Sequence, residues 1–215
     1  MLNSASIHLD SGQAQKLWAY HNLLRNRNQD GDLTRLFSFE SIVERHYIDS
    51  MIVGDLWKLL NPILDIGTGA GFPGIPLKIR YPNLKLILAE PRPRRVDFLN
   101  DAKKLLRLTD TEVFPHRVVS ASYQTPVRMV ITRALETMDK TLLRASGCTQ
   151  AGTQFVFLKG PEVDPELKAT MRRFGKSFQL LLDKPYQLLN QNNRRRLIVL
   201  ECQTPLNFKK DTPEE

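Results

Sequence analysis

The segment Asp65-Ile-Gly67-Thr-Gly69-Ala-Gly71-Phe72-Pro73-Gly74 holds the residues best spaced for chemistry. An apolar run, Pro62 to Leu64, leads into Asp65, and glycines then follow at alternate positions 67, 69 and 71. Glycines so placed let the backbone turn sharply at a strand end and approach a ligand closely, because no Cβ intervenes. A helix starting just after such a turn points its free N–H groups at the same spot. Glu90 closes a second apolar run, Leu84 to Ala89, where a carboxylate suits hydrogen bonds to a ribose diol. The pattern is that of a nucleoside-cofactor site.

Two cofactor classes use this arrangement. Gly69-Ala-Gly71-Phe72-Pro73-Gly74 also satisfies the dinucleotide fingerprint G-x-G-x-x-G. Asp65, two residues before the first glycine, would repel a pyrophosphate but can pair with the cationic amino group of S-adenosylmethionine. Pro73 and Pro76 remove backbone donors where a dinucleotide needs them. S-adenosylmethionine is the expected ligand; a nicotinamide or flavin dinucleotide, or a glycine-rich turn with no ligand, stays open.

These residues must be positioned by a fold, and a chain of 215 residues suits one α/β domain with an appendage. There is no run of eighteen apolar residues, so no membrane span is expected. The start lacks the basic and apolar regions of a signal peptide. Cys148 and Cys202 make neither a disulfide framework nor a metal spacing and read as buried free thiols of a cytoplasmic protein. A net charge of +8 favours a polyanionic partner. The excess clusters at Arg92, Arg94, Arg95, Lys103, Lys104 and Arg107, again at Lys168, Arg172, Arg173 and Lys176, and at Arg194 to Arg196. Each cluster alone reads equally well as a solvated helix face; together they favour nucleic acid.

Residues 1–60 lack strand signals. Leu17, Tyr20, Leu23 and Leu24 are helically spaced within Gln13 to Asn28, and Ser38 to His46 and Tyr47 to Leu60 read as further helices. From Ile63 the pattern alternates. Strands are predicted near 63–66, 84–90, 111–115, 127–132, 153–159, 177–183 and 195–202, with helices near 74–81, 93–107, 135–146 and 163–174. Such alternation implies parallel pairing with right-handed crossovers. Pro185 to Asn193 is turn-like, so the last two strands should form an antiparallel hairpin. The expected fold is a Rossmann-like seven-stranded, mostly parallel α/β sheet, with helices on both faces and a helical N-terminal segment. It divides into an extension (1–60), a methyltransferase domain (61–208) and a polar, frayed tail (209–215).

The motifs resemble those of the ribosomal RNA small subunit methyltransferase G family (RsmG, formerly GidB). The likeness runs through Glu44-Arg-His46-x-x-Asp49-Ser50 and Asp65 to Pro76, then Arg94-Arg95-x-x-Phe98-Leu99, Thr132-Arg133-Ala134 and Leu158-Lys159-Gly160, covering about residues 40–160. It implies a cytoplasmic, S-adenosylmethionine-dependent enzyme that methylates N7 of a guanine in 16S ribosomal RNA. By motif position it puts cofactor contacts at Gly67, Phe72, Val118, Val119 and Arg133, beside Asp65, Gly69, Gly71 and Glu90, and sets Arg117 next to the reaction centre. Two departures stand out. The run Arg117-Val-Val-Ser-Ala-Ser122 contains no acid, leaving backbone groups or Ser120 for the adenine edge, and Glu90 stands where the family prefers aspartate.

Guanine N7 carries a free lone pair at neutral pH, so methyl transfer to it requires placement rather than a general base. Arg117 and Arg133 are therefore cast as positioning groups for a carboxylate or a phosphate. His46, Lys159, Arg94 and Arg95 are the candidate RNA contacts. For His46 with Asp49, an intrahelical or capping bond is the structural alternative, and for Lys159 a solvated strand end. Trp18 and Trp57 lie on apolar helix faces and are expected in the core. No metal site is read, and a monomer is expected. A small-molecule methyltransferase and a non-catalytic RNA-binding paralogue remain the rivals.

Overall fold

The computed structural model describes residues 1–190 and 192–206. Seven strands form one sheet: β1 (Ile63–Ile66), β2 (Leu86–Ala89), β3 (Thr111–Phe114), β4 (Met129–Arg133), β5 (Gln154–Lys159), β6 (Phe178–Gln187) and β7 (Arg194–Cys202), in spatial order β3-β2-β1-β4-β5-β7-β6. The first five are parallel, and β7 runs antiparallel to both β5 and β6. Between them lie α5 (Gly74–Arg80), α6 (Pro93–Leu105), α7 (Met138–Arg144) and α8 (Asp164–Phe174), and the N-terminal segment supplies α1 (Ser11–Arg27), α2 (Phe39–Ile42), α3 (Asp49–Met51) and α4 (Val53–Leu56).

The strand sequences are apolar without alternation because both faces are covered. Ile63, Leu86, Leu88, Met129 and Ile131 pack with α1, α5 and α6, whereas their neighbours Leu64, Ile87, Ala89 and Val130 pack with α7 and α8. Chain order reverses between β1 and β4, which opens a crevice at the carboxyl ends of these strands. The glycine turn lies at that crevice.

The N-terminal segment shares the core of the sheet's first face. Asp10 caps α1 in a reciprocal box with Gln13. Leu17, Tyr20 and Leu24 are buried, and the Tyr20 hydroxyl donates to the Ala70 carbonyl inside the glycine turn. The next loop is organised by Asn28, whose side chain accepts from Leu33 and Thr34 N–H and donates to the Thr34 carbonyl. Its acids dock on α6 and its approach through Asp30–Arg94 (2.6 Å) and Asp32–Arg95 (3.4 Å).

Three expectations need correction. Helix continues across the break expected at 46/47, because a π-helical stretch, Val43–Ile48, joins α2 to α3 and no Gly or Pro interrupts it; helix ends at Leu56, short of residue 60. The helix expected at 135–146 begins only at Met138, since Ala134 takes a left-handed φ of 52° and directs the chain across the crevice first. Trp18 is not in the core: it lies off the buried Leu17–Tyr20–Leu24 stripe and is 57% exposed. Trp57 is half-buried, its ring N–H donating to Gln154 Oε1 at 2.8 Å. The hairpin of β6 and β7 is antiparallel as expected, but Pro185 to Gln187, expected in its turn, pair with Arg196 to Arg194 as the end of β6. The tail expected to fray, 209–215, lies outside the described residues.

Candidate active site

Asp65 is the penultimate residue of the buried strand β1 and is itself fully buried. Its Oδ2 accepts from Thr68 Oγ1 (2.7 Å) and from the Gly74 N–H (2.8 Å), closing the glycine turn onto the first turn of α5. Gly67, Gly69 and Gly71 all take positive φ, of 69°, 61° and 96°. A Cβ on Gly67 would meet Leu135 Cδ1 at 2.5 Å, but that exposed side chain can turn away, so it is the positive φ that demands glycine there. The other carboxylate oxygen, Asp65 Oδ1, is buried and has no partner among the described residues. Burial pushes this carboxyl up to about 7, against the opposing pull of the Thr68 and Gly74 hydrogen bonds and the Arg133 charge. A buried acceptor without a donor suits a ligand that brings one, and the ammonium of S-adenosylmethionine is such a group.

Glu90, at the end of β2, is a clamp. Its Oε2 accepts from Gly69 N–H (3.1 Å) and its Oε1 from Arg92 N–H (3.0 Å), which ties the turn to the approach of α6. Each oxygen keeps a lone pair for a ribose hydroxyl. Arg95 reaches over Gly69, with a terminal nitrogen 3.9 Å from Glu90 and another donating to the Asp32 carbonyl at 2.6 Å. Arg94 is mostly exposed and paired with Asp30.

On the far side of the crevice, the Arg133 guanidinium donates to the Arg45 carbonyl (2.9 Å), His46 Nδ1 (3.0 Å) and Asp49 Oδ2 (3.2 Å), and lies 5.2 Å from the Phe72 ring centroid. Since arginine only donates, Nδ1 must accept, and the His46 proton sits on Nε2, which donates to Thr34 Oγ1 at 2.7 Å. Burial and the neighbouring Arg133 charge depress His46 to about 3, in keeping with that neutral tautomer. Its ring stacks on Phe72 at 4.2 Å. Asp49 Oδ1 in turn accepts from the buried Tyr186 hydroxyl at 2.8 Å. The helical N-terminal segment and the C-terminal hairpin thus meet on Arg133.

Beside the first glycine of the turn is a cleft of about 190 Å³, lined by Gly67, Pro91, Arg117, Val118, Leu135 and Glu136 among others. Larger hollows lie elsewhere on the surface, away from the glycine turn. Arg117 is exposed at the cleft, and its guanidinium has no partner among the described residues. Val118 is buried, and its carbonyl accepts from Arg144, which is itself held bidentately by Glu136 at 2.6 Å and 2.6 Å. Val119 is exposed and its N–H donates to Ser122 Oγ (2.9 Å), so a hydroxyl stands where the family's acids would. Lys159 is tied down behind the cleft wall: its ammonium donates to the Glu136 carbonyl and to Glu166 Oε1, both at 2.8 Å, and its side chain is 13% exposed.

The structure therefore brings together Asp65, the three glycines, Phe72, Glu90, Arg95, Arg133 and His46, with Arg117 and Val118 on the opposite lip. Sequence reasoning missed Thr34, Tyr186, Leu135 and the Glu136–Arg144 pair. Tyr186 is 137 residues from its partner Asp49, and nothing in the local pattern marks it.

A sheet of this order, with a glycine turn after β1 and an acid ending β2, defines the class I S-adenosylmethionine-dependent methyltransferases. The fold is similar to that of N-methyltransferase NodS from Bradyrhizobium japonicum in complex with S-adenosyl-l-homocysteine (TM-score 0.58, 15% identity, 86% of this chain and 98% of that one). It is also similar to a ribosomal protein L11 methylase from Lactobacillus delbrueckii subsp. bulgaricus (TM-score 0.58, 12% identity, 74% and 79%). Within that class, the family model for rRNA small subunit methyltransferase G matches residues 13–198. Proteins named Ribosomal RNA small subunit methyltransferase G 2 are 38% identical over 99% of this chain in Syntrophobacter fumaroxidans and 37% identical over 88% of it in Bdellovibrio bacteriovorus. The chain belongs to the rRNA small subunit methyltransferase G family. It spans 43% of the first relative's length and 74% of the second's.

Proposed function

We propose that this chain transfers the methyl group of S-adenosylmethionine to N7 of a guanine in 16S ribosomal RNA of the small subunit, acting as a cytoplasmic monomer. The observation that carries the reading is the pairing of an orphaned, buried Asp65 oxygen with an arginine, Arg133, fixed on the facing wall of one crevice. When bound, the cofactor supplies an electrophilic methyl group on a sulfonium. Asp65 would receive its ammonium, Arg133 would offer its remaining N–H donors to its carboxylate, and Glu90 would accept from its ribose. Gly67, Gly69 and Gly71 would admit it closely, Phe72 backs the Arg133 plane, and Val118 and Val119 would flank the adenine.

The acceptor end follows from what the residues cannot do. His46 has both ring nitrogens committed, so it is no base, and N7 of guanine needs none. The unpaired Arg117 meets an RNA phosphate beside the target, with Arg94 and Arg95 along the adjoining rim, where their present partners Asp30 and Asp32 compete. Such catalysis is placement: effective molarity supplies the acceleration. The test is methyl incorporation from labelled donor into small-subunit RNA lacking the modification, followed by nucleoside analysis. 7-Methylguanosine at one site is expected. Label in another nucleoside, or cofactor binding without incorporation into naked RNA, assembling particles or mature subunits, would refute the reading.

A further inference from the structure

Among the described residues, the aromatic side chains that are exposed all lie on the N-terminal segment: Trp18 (57%), Phe37 (61%) and Phe39 (44%). Trp18 stacks on His21 with centroids 5.5 Å apart, and Phe39 stands edge-on to both, at 6.3 Å and 5.1 Å. Beside them opens a hollow of about 410 Å³, floored by Leu17, Val43 and Tyr47. Isolated exposed rings need no explanation, but a prebuilt cluster beside a hollow is a contact surface.

The charges on this segment sort by role. Asp30, Asp32, Asp49 and Asp55 are each paired with an arginine outside the segment, Glu44 accepts the Asn190 N–H, and Asp10 caps α1. Lys16, Arg35 and Arg45 are exposed and have no acidic partner among the described residues. What the segment offers outward is thus aromatic faces and free cations, with Glu40 the exception. Exposed rings and unpaired cations close together along one segment, Lys16 two residues from Trp18 and Arg35 two from Phe37, fit unpaired bases on a phosphate backbone. The surface also continues into the active site. Phe39 precedes His46 by two helical turns on one run, and Tyr47 reaches from the hollow to Phe72 at 6.1 Å.

We propose that Trp18, Phe37 and Phe39, with Lys16, Arg35 and Arg45, form a stacking platform for unpaired bases of the RNA beside the methylated guanine. This rests on the rRNA methyltransferase reading and adds where the flanking RNA is held. The chain has two tryptophans, so Trp57→Phe leaves Trp18 as the sole reporter. Titrating that protein with a short unpaired oligoribonucleotide should quench Trp18 emission saturably, and more weakly as salt rises. In the double variant Trp18→Ala, Phe39→Ala, KM for RNA should rise about tenfold, the scale of one lost stacked base. Its kcat and its calorimetric cofactor affinity should stay within about twofold, which also certifies folding, and Trp18→Phe should retain most of the affinity. Absent quenching, a KM change under about twofold in the folded double variant, or quenching by RNA-free ribosomal proteins instead of RNA would overturn the proposal. Should the wild type methylate small-subunit RNA without quenching, only the platform falls. Should it quench but not methylate, the methylation reading falls and the platform is supported.

Discussion

Asp65→Asn tests the site at its least compensated atom. Burial raises the Asp65 carboxyl from 3.8 to about 7, so the folded protein binds a proton there that the unfolded chain releases. Stability from this group is full below pH 4 and is lost as pH rises through 7. The loss amounts to about 4 kcal/mol, from roughly 3 pKa units at 1.36 kcal/mol each. His46 acts oppositely: held near 3, it costs stability as pH falls below 6.5, so the wild-type curve alone blunts both effects. The difference between wild type and Asp65→Asn cancels His46. It should grow in the variant's favour by about 1 kcal/mol per pH unit between pH 4.5 and 7, read from denaturant midpoints at fixed slope. The cofactor reports the same titration. At pH 5.5 only about 3% of Asp65 is ionised against half at pH 7, so wild-type affinity for S-adenosylmethionine should fall about fifteenfold between them. The variant should bind weakly and without that dependence. Parallel stability curves, or a variant with undiminished cofactor affinity, would refute the reasoning.

Three further outcomes are expected. Arg133→Lys keeps the charge but cannot meet the Arg45 carbonyl, His46 and Asp49 together, so cofactor affinity by calorimetry should drop at least about tenfold; an unchanged value, with Arg117→Lys also at full turnover, removes both arginines from their assigned roles. Tyr186→Phe leaves Asp49 Oδ1 with only the distant Arg195 (3.8 Å) and should cost about 1–3 kcal/mol in urea unfolding while methyl transfer persists; a null effect would show the hydroxyl idle. Gly67→Ala forces a Cβ against Leu135 at positive φ, so cofactor binding should be lost with a stability cost of about 1–3 kcal/mol; a variant that binds normally would place the cofactor elsewhere.

Much of this protein is written locally. Apolar runs ending in Asp65 and Glu90, a turn that only glycine can take, and helices capped by Asp10 or opened by Pro93 are short-range features. They sufficed to place the sheet, the crevice and the two acids beside the glycine turn, because strand burial and backbone sterics depend on neighbours in sequence. Tertiary structure decided the rest. Arg133 meets His46 and Asp49 across more than 80 residues, Tyr186 meets Asp49 across 137, and Lys159 is held by Glu166 because α8 folds back over its strand. Trp18 and Leu17 are adjacent in sequence, yet one faces solvent and the other the core, a choice set by which side of α1 the sheet covers. Charge behaves likewise: composition counts cations, but only the fold reveals that Arg94, Arg95 and Arg196 are neutralised while Arg117 and Arg45 have no acidic partner among the described residues. Pairing, tautomer and exposure are properties of neighbours in space, which no spacing along the chain encodes.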